Sequence, residues 1–415
     1  MTFTIVTLEY LQIMQSLDTS KLKILIVTPW YGAFAGGAEV LARGLAENFQ
    51  SRGFQVEVLS TLVASPYDDW WQSNKGLPKK EIINGVLVSR YDPDGGENKF
   101  KYQSVVQKMS RGETLSQQDK FDFFYKGITS TYLIASVKQY LESGWRVIAL
   151  PYFQSLTHNL VAAYPGLIDL VPCLHDEPEF YWQPVEKLIE HGRALFFNSP
   201  EEKLLSVRVY GSKFLDKIKG YPVVGAGLDT QKMMSRVKVS SKLPDNYVLY
   251  VGRKEKGKNV HILSSWHEHF LKTQNKRISL VYIGGGDREI VPNSASFIDL
   301  GYVSDGEKDY LIGKSICVVN LSDNESFSYV IMESWLNKKP VIVSSKCEVT
   351  CGHVKRSIGG FCVDNKDSYS TALKIFSENA DISTQLGNNG NEYVLSNYSW
   401  DNVIGKYVSY MNELA

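Results

Sequence analysis

The chain has 415 residues, with 45 Lys plus Arg against 45 Asp plus Glu; this is too long for one ordinary core, and its balance leaves no global field to attract nucleic acid or an acidic membrane surface. Its five cysteines are odd in number and sparse, which argues against a disulfide framework and for a reducing compartment, read as the cytoplasm. The first 20 residues hold Glu9 and Asp18 without a basic leader, and no stretch of about 18 apolar residues occurs, so neither a secretory signal nor a membrane span is predicted.

Residues 1–20 read as an N-terminal extension, either a short helix or a disordered lead-in. From residue 21 strand and helix alternate: a strand over 23–28, a helix over 38–50 and a strand over 55–60. Pro66-Tyr67-Asp68-Asp69-Trp70-Trp71 is a predicted loop, 86–90 a short strand and 117–143 a single helical stretch. Segments 146–151, 170–175 and 194–199 resume the short apolar strands of a parallel sheet covered on both faces. Residues 21–222 are therefore expected to form one doubly wound domain. Gly220-Tyr221-Pro222-Val223-Val224-Gly225-Ala226-Gly227 is rich in turn formers and marks an interdomain connection. A second βα series fills 223–398, with strands over 247–252, 278–284, 296–300, 315–319 and 340–345 and helices around 259–272, 305–313, 327–337 and 367–378. Residues 399–415 hold a last amphipathic helix, expected to pack back on the first domain. The fold class is α/β, with two Rossmann-like domains.

Three segments carry chemistry. Tyr31-Gly32-Ala33-Phe34-Ala35-Gly36-Gly37-Ala38-Glu39 follows the first strand and opens a helix, so its backbone can approach a phosphate, unless it is only a flexible turn. Gly252-Arg253-Lys254-Glu255-Lys256-Gly257-Lys258-Asn259 sets three lysines and an arginine at a strand's carboxyl end; this suits a diphosphate or, more plainly, a solvated turn. Glu325 and Glu333 flank the start of an apolar helix, and a carboxylate among Tyr329-Val330-Ile331-Met332 and Ser334-Trp335-Leu336 costs several kcal/mol or so unless hydrogen-bonded.

As a set, a strand ending Gly252-Arg253 with Lys258, then Ile283-Gly284-Gly285-Gly286-Asp287, Gly301-Tyr302-Val303, the paired glutamates and Lys339-Pro340-Val341 resembles the carboxyl-terminal domain of family 4 retaining glycosyltransferases. Gly36-Gly37-Ala38-Glu39, Leu174-His175-Asp176, Asn198-Ser199-Pro200-Glu201 and Gly225-Ala226-Gly227-Leu228-Asp229 resemble that family's amino-terminal segments. The resemblance runs from about residue 22 to the end. It implies a B-type glycosyltransferase fold, two Rossmann-like domains facing across a cleft, the first binding the acceptor and the second the nucleotide sugar. It further implies that Arg253 and Lys258 hold the donor diphosphate, that Glu333 bonds the ribose, and that Glu325 with the N–H groups of Ser326, Phe327 and Ser328 holds the donor sugar. Val303 would lie beside the base, Gly36 and Gly37 would approach the diphosphate, and His175 would line the reaction centre. The sequence departs from the family where Glu-Gly-Phe-Gly is replaced by Glu325-Ser326-Phe327-Ser328 and Pro-Ser by Leu321-Ser322.

The implied activity is retaining transfer of a hexose from UDP-glucose to a glycan or lipid-linked glycan in cell-surface or extracellular polysaccharide synthesis. It requires no cofactor or metal and takes place in the cytoplasm, with peripheral contact at the inner face of the plasma membrane as the only membrane association expected. A sugar-nucleotide 2-epimerase of the same fold and a non-catalytic carbohydrate-binding relative are the alternatives. Asp92-Pro93-Asp94 matches a metal-binding pattern but sits in a turn sequence. Cys347, Cys351, His353 and Cys362 are irregularly spaced for zinc, and Cys362 reads as a packed thiol on an edge strand. Ile283-Gly284-Gly285-Gly286-Asp287 is an incomplete dinucleotide fingerprint. Tyr67, Trp70 and Trp71, with Phe180, Tyr181 and Trp182, offer faces for sugar stacking or ordinary packing. Phe121, Phe123, Phe124 and Tyr125 read as a buried helix stripe, with a lipid-linked acceptor as the alternative contact.

Overall fold

A computed structural model describes residues 22–34, 36–230, 243–274 and 276–413. The extension expected at 1–20 lies outside the described residues. The chain divides into two units, the first running to Leu228 and taking back the chain from Trp400, the second spanning Asp229–Ser399. The division falls after Leu228 rather than after residue 222, and the helix Trp400–Glu413 groups with the first unit.

The first unit contains β1 (Lys23–Val27), β2 (Gln55–Thr61), β3 (Lys80–Ile83), β4 (Val86–Tyr91), β5 (Arg146–Ala149), β6 (Ile168–Leu170) and β7 (Ala194–Leu195). They lie in the order β3-β4-β2-β1-β5-β6-β7, parallel except for the β3 edge. Ile24 to Val27 of β1 are fully buried, as a strand covered on both faces requires. Helix Gly37–Ser51 buries Leu41, Ala42, Leu45, Ala46 and Phe49, a stripe of helical period. The second unit contains β8 (Tyr247–Val251), β9 (Ser279–Ile283), β10 (Phe297–Asp299), β11 (Val318–Asn320), β12 (Val341–Ser344) and β13 (Gly360–Val363), in the all-parallel order β10-β9-β8-β11-β12-β13.

Each sheet grows outward from its first strand in one direction and then resumes on the other side of it. The loops after β1 and β5, and those after β8 and β11, therefore diverge at a topological switch point, where a crevice opens at the carboxyl edge.

Several elements differ from expectation. The stretch 117–143 is two helices, Gln117–Lys126 and Thr131–Glu142, each started by a serine: Ser116 forms a capping box with Asp119, and the Ser130 hydroxyl accepts from Leu133 N–H. β6 and β7 are shorter than the apolar runs that suggested them, because the chain turns away at their carboxyl ends; Cys173 there has φ 56°. The helix Ala380–Asn397 is obscured in the sequence by its polar, glycine-bearing composition. Packing demands those glycines, since a Cβ at Gly387 would lie 2.0 Å from the Lys338 carbonyl oxygen and one at Gly390 2.1 Å from the Trp335 ring.

Cys351, on helix Glu348–Ser357, and Cys362, on β13, form a disulfide with Cα atoms 5.7 Å apart. This overturns the expectation of a packed thiol at Cys362; the pair comes together because the helix leads back to the neighbouring strand. Cys173, Cys317 and Cys347 are free. Among the described residues no helix is long and apolar enough to cross a membrane.

Candidate active site

The carboxyl ends of β8 and β11 bring together two segments that the sequence separates by more than 60 residues. The loop after β8 turns at Gly252 and closes in a short helical turn, Lys256–Lys258, ended by Asn259 at φ 54°. Asn259 donates its side-chain N–H to the Leu321 carbonyl at 2.9 Å, fastening this loop to the one after β11. Lys258 Nζ is thereby placed 2.9 Å from Glu325 Oε1 and 3.4 Å from Ser322 Oγ. Both members of the ion pair are largely shielded, with side-chain exposures of 26% and 16%, so water weakens their attraction less than at an open surface.

Asn320, the last residue of β11, organises the other side. Its side-chain carbonyl oxygen accepts from Ser322 N–H at 2.9 Å, and its amide donates to Ser328 Oγ at 3.1 Å and to Glu325 Oε1 at 3.4 Å. Ser328 precedes the helix Tyr329–Leu336 in the left-handed region at φ 71° and is buried. A non-glycine residue there is strained. Phe327 is buried too, packed at 4.9 Å against Tyr398 and 5.5 Å against His353, so of Phe327 only the backbone can serve a ligand. The helix begins at Tyr329, just beyond the expected start, and its free N–H groups and positive dipole end lie at this edge.

The remaining members of the predicted cationic loop are not equivalent. Arg253 is exposed and pairs with Glu255 at 3.2 Å. Lys254 is 1% exposed, donates to the Gly284 carbonyl and pairs with Asp299 at 3.1 Å. It is a structural cation, which corrects its reading as part of a diphosphate cradle. The glycines of Ile283-Gly284-Gly285-Gly286-Asp287 have the same cause: a Cβ at Gly284 would lie 2.3 Å from the Gly252 oxygen, and one at Gly286 2.5 Å from the Lys254 oxygen. Two loops are pressed together there.

Glu333 does not join the Lys258–Glu325 pair. Its Oε1 meets Lys308 Nζ at 2.7 Å. Burial raises its carboxyl above the usual range, while the Lys308 ammonium pulls it down. Val303 is half-buried between Gly301 and Ser304, the residue that caps the helix bearing Lys308. Lys308 carries no signal in the sequence, since nothing local pairs it with a residue 25 positions on. Asn320 is legible in part, because an Asn two residues before Ser322 is a known local hydrogen-bonding pattern.

Gly36, Gly37 and His175 belong to the first unit. Gly36 precedes helix Gly37–Ser51, and a Cβ there would collide with Glu39 and Phe34. Gly37 is exposed, and a side chain there would meet no protein atom within 4 Å. His175 lies in the loop after β6, with Nδ1 3.7 Å from Glu177 Oε1; Tyr152 donates its hydroxyl to the same oxygen. Behind it, the buried Glu202 accepts from Leu174 N–H at 2.6 Å and from Asn198 N–H at 2.5 Å, clamping the His175 loop to the start of helix Pro200–Gly220. Sequence reasoning missed both acids, although Glu202 occupies the third position after a Ser199 cap.

The other candidates are accounted for structurally. Asp92 accepts from Ser73 and Lys79, and Asp94 accepts from the Thr131 N–H and hydroxyl at the start of a helix. His353 is buried with Nδ1 2.9 Å from the Tyr393 hydroxyl.

Residues 232–393 match the family model described as glycosyl transferases group 1. No curated protein matches the chain. Among solved structures, the trehalose-6-phosphate synthase OtsA aligns with a TM-score of 0.72 at 11% identity, over 95% of this chain and 99% of that one. Sucrose-phosphate synthase from Thermosynechococcus elongatus gives 0.61 at 14% identity over 95% and 99%, and Anabaena HepE in complex with UDP-glucose gives 0.63 at 15% over 95% and 99%. The chain thus has the B-type glycosyltransferase fold, and the match to the group 1 glycosyltransferase model falls within its second unit.

Proposed function

We propose that the protein is a retaining hexosyltransferase of family 4 type that moves glucose from UDP-glucose to a glycan or lipid-linked glycan, in cell-surface or extracellular polysaccharide synthesis. The observation that carries this reading is the shielded Lys258–Glu325 pair at the switch point of the domain that matches group 1 glycosyltransferases. Structures of the same fold agree in chemistry: one trehalose-6-phosphate synthase holds UDP-2-fluoro glucose and HepE holds UDP-glucose.

In the proposed step the bond from the sugar's C1 to the diphosphate oxygen breaks and its electrons leave with UDP. The acceptor oxygen bonds C1 on the same face, and its proton passes to the departing phosphate. Lys258 and Arg253 stabilise the charge on the leaving group, while Glu325 and the N–H groups of Ser326, Phe327 and Ser328 hold the hexose. Glu333 takes the ribose hydroxyls, Val303 borders the base, and Gly36 and Gly37 admit the diphosphate. His175 orients the acceptor. The reaction uses no metal ion and no cofactor, and takes place on the cytoplasmic side.

Incubation with UDP-glucose and a glycan acceptor should release UDP stoichiometrically with α-linked product, and EDTA should leave the rate unchanged. An epimerised nucleotide sugar without glycan product would replace this reading with epimerase chemistry.

A further inference from the structure

Aromatic residues of the first unit converge from four segments. Trp71, in the loop after β2, lies 5.7 Å from Tyr102 on helix Glu97–Ser110; Tyr102 stacks on Phe123 at 5.4 Å and 16°, and Phe123 meets Trp182 at 5.6 Å. Phe123 is buried, whereas Trp71, Tyr102, Phe121 and Trp182 are half-buried. Cations sit against two of these rings: Lys120 Nζ is 5.6 Å from the Trp182 centroid and Lys187 Nζ 4.9 Å from that of Phe121. Neither lysine takes part in an ion pair among the described residues, whereas Lys99, over Trp71, pairs with Asp69 at 2.8 Å.

This group is continuous with His175. Phe123 meets Phe153 at 5.4 Å and Phe153 meets Tyr152 at 5.7 Å, and Tyr152 donates to the Glu177 carboxylate beside His175. Trp71 follows β2, Tyr152 and Phe153 follow β5, and His175 to Trp182 follow β6, so all stand at the carboxyl edge of the first sheet, where an open α/β sheet binds its ligand.

We propose that Trp71, Tyr102, Phe121 and Trp182, with Lys120 and Lys187, form a subsite for an acidic oligosaccharide, one carrying uronate carboxylates, which serves as acceptor. The identification as acceptor rests on the function proposed above; the binding does not. Sugar rings present C–H faces that pack on half-buried aromatic side chains, and the two lysine charges have no counterion among the described residues to lose when a carboxylate reaches them. A neutral glycan would use the rings and leave the charges idle.

The test is calorimetric titration of the full chain with tetragalacturonate and, separately, with cellotetraose, with UDP titrated in parallel as a control on the second unit. Tetragalacturonate should bind more tightly than cellotetraose and weaken with added salt. Trp182→Ala and the double substitution Lys120→Gln, Lys187→Gln should each lower that affinity about tenfold, the scale of one stacking or charge contact, with UDP binding unchanged. Should Trp182→Ala lower the unfolding midpoint, the lysine variant alone decides. Equal affinity for the two saccharides, no binding of either, or loss in the variants of binding to anionic phospholipid vesicles but not to tetragalacturonate would overturn the proposal. Saccharide binding without any UDP-glucose turnover would reject the glycosyltransfer reading and leave the subsite standing.

Discussion

Lys258→Ala separates the two roles its ammonium has. Its Nζ lies 2.9 Å from Glu325, whose carboxylate is 16% exposed, and once the lysine is gone the Asn320 amide, at 3.4 Å, is a weak substitute donor to Glu325 Oε1. Removing one partner of a fully buried pair costs about 3–5 kcal/mol, and a pair this far shielded should lose roughly 1–2 kcal/mol. Loss of a cation that meets developing charge on the leaving diphosphate should lower kcat about 100- to 1,000-fold. The double variant Lys258→Ala, Glu325→Ala distinguishes the effects: it removes the carboxylate that has lost its lysine and should recover most of the stability, but none of the transfer rate. Urea unfolding and UDP release from UDP-glucose measure the two quantities on the same preparations. If the double variant regains wild-type turnover along with its stability, the pair is structural and the proposed catalytic role of Lys258 is wrong.

Further expectations concern neighbouring groups. Ser328 holds φ 71° and accepts the Asn320 amide at Oγ, so Ser328→Ala keeps the strain and loses the bond, costing about 1–2 kcal/mol, whereas Ser328→Gly relieves the strain and should cost less; a glycine variant less stable than the alanine variant in urea would refute the left-handed assignment. Glu333→Gln should raise the Kd for UDP and for UMP alike, about tenfold each, since both carry the ribose, as read by calorimetry; unchanged UDP affinity would remove Glu333 from the ribose. Burial pushes His158 down to about 3 and His267 down to about 4, and the neutral His267 ring is satisfied, its Nε2 donating to the Ile278 carbonyl and its Nδ1 accepting from the Tyr369 hydroxyl. Because the unfolded chain takes up these protons near pH 6.5 and the folded one does not, stability present above that pH is lost as pH falls toward 4, at about 1.4 kcal/mol per histidine per pH unit. Urea midpoints at pH 7.0 and 5.0 should show the drop, and His267→Gln should reduce its slope by about one proton.

Strand identity was legible wherever burial on both faces forces an unbroken apolar run: β1, β8, β9 and β12 lie within a residue or so of their predicted bounds. Helix starts at Ser116, Ser130 and Ser304 rest on a local hydrogen bond from a cap; the first and last fall where expected, whereas the break before Thr131 interrupts a stretch that reads as continuous. The helix at Ala380–Asn397 was not legible, since its glycines are set by Lys338 and Trp335, far away in the chain.

The sequence by itself determined that alternating apolar strands and amphipathic helices would wind into parallel sheets, and that cations, glutamates and free helix N–H groups would stand at their carboxyl ends, because both follow from neighbours within a few residues. Only the tertiary structure decided which charges meet. It brought Lys258 to Glu325, Lys308 to Glu333 and Lys254 to Asp299, and joined Cys351 to Cys362. A salt bridge depends on the register of strands and loops distant in the chain, and the charge that each residue carries is the same whichever partner it finds.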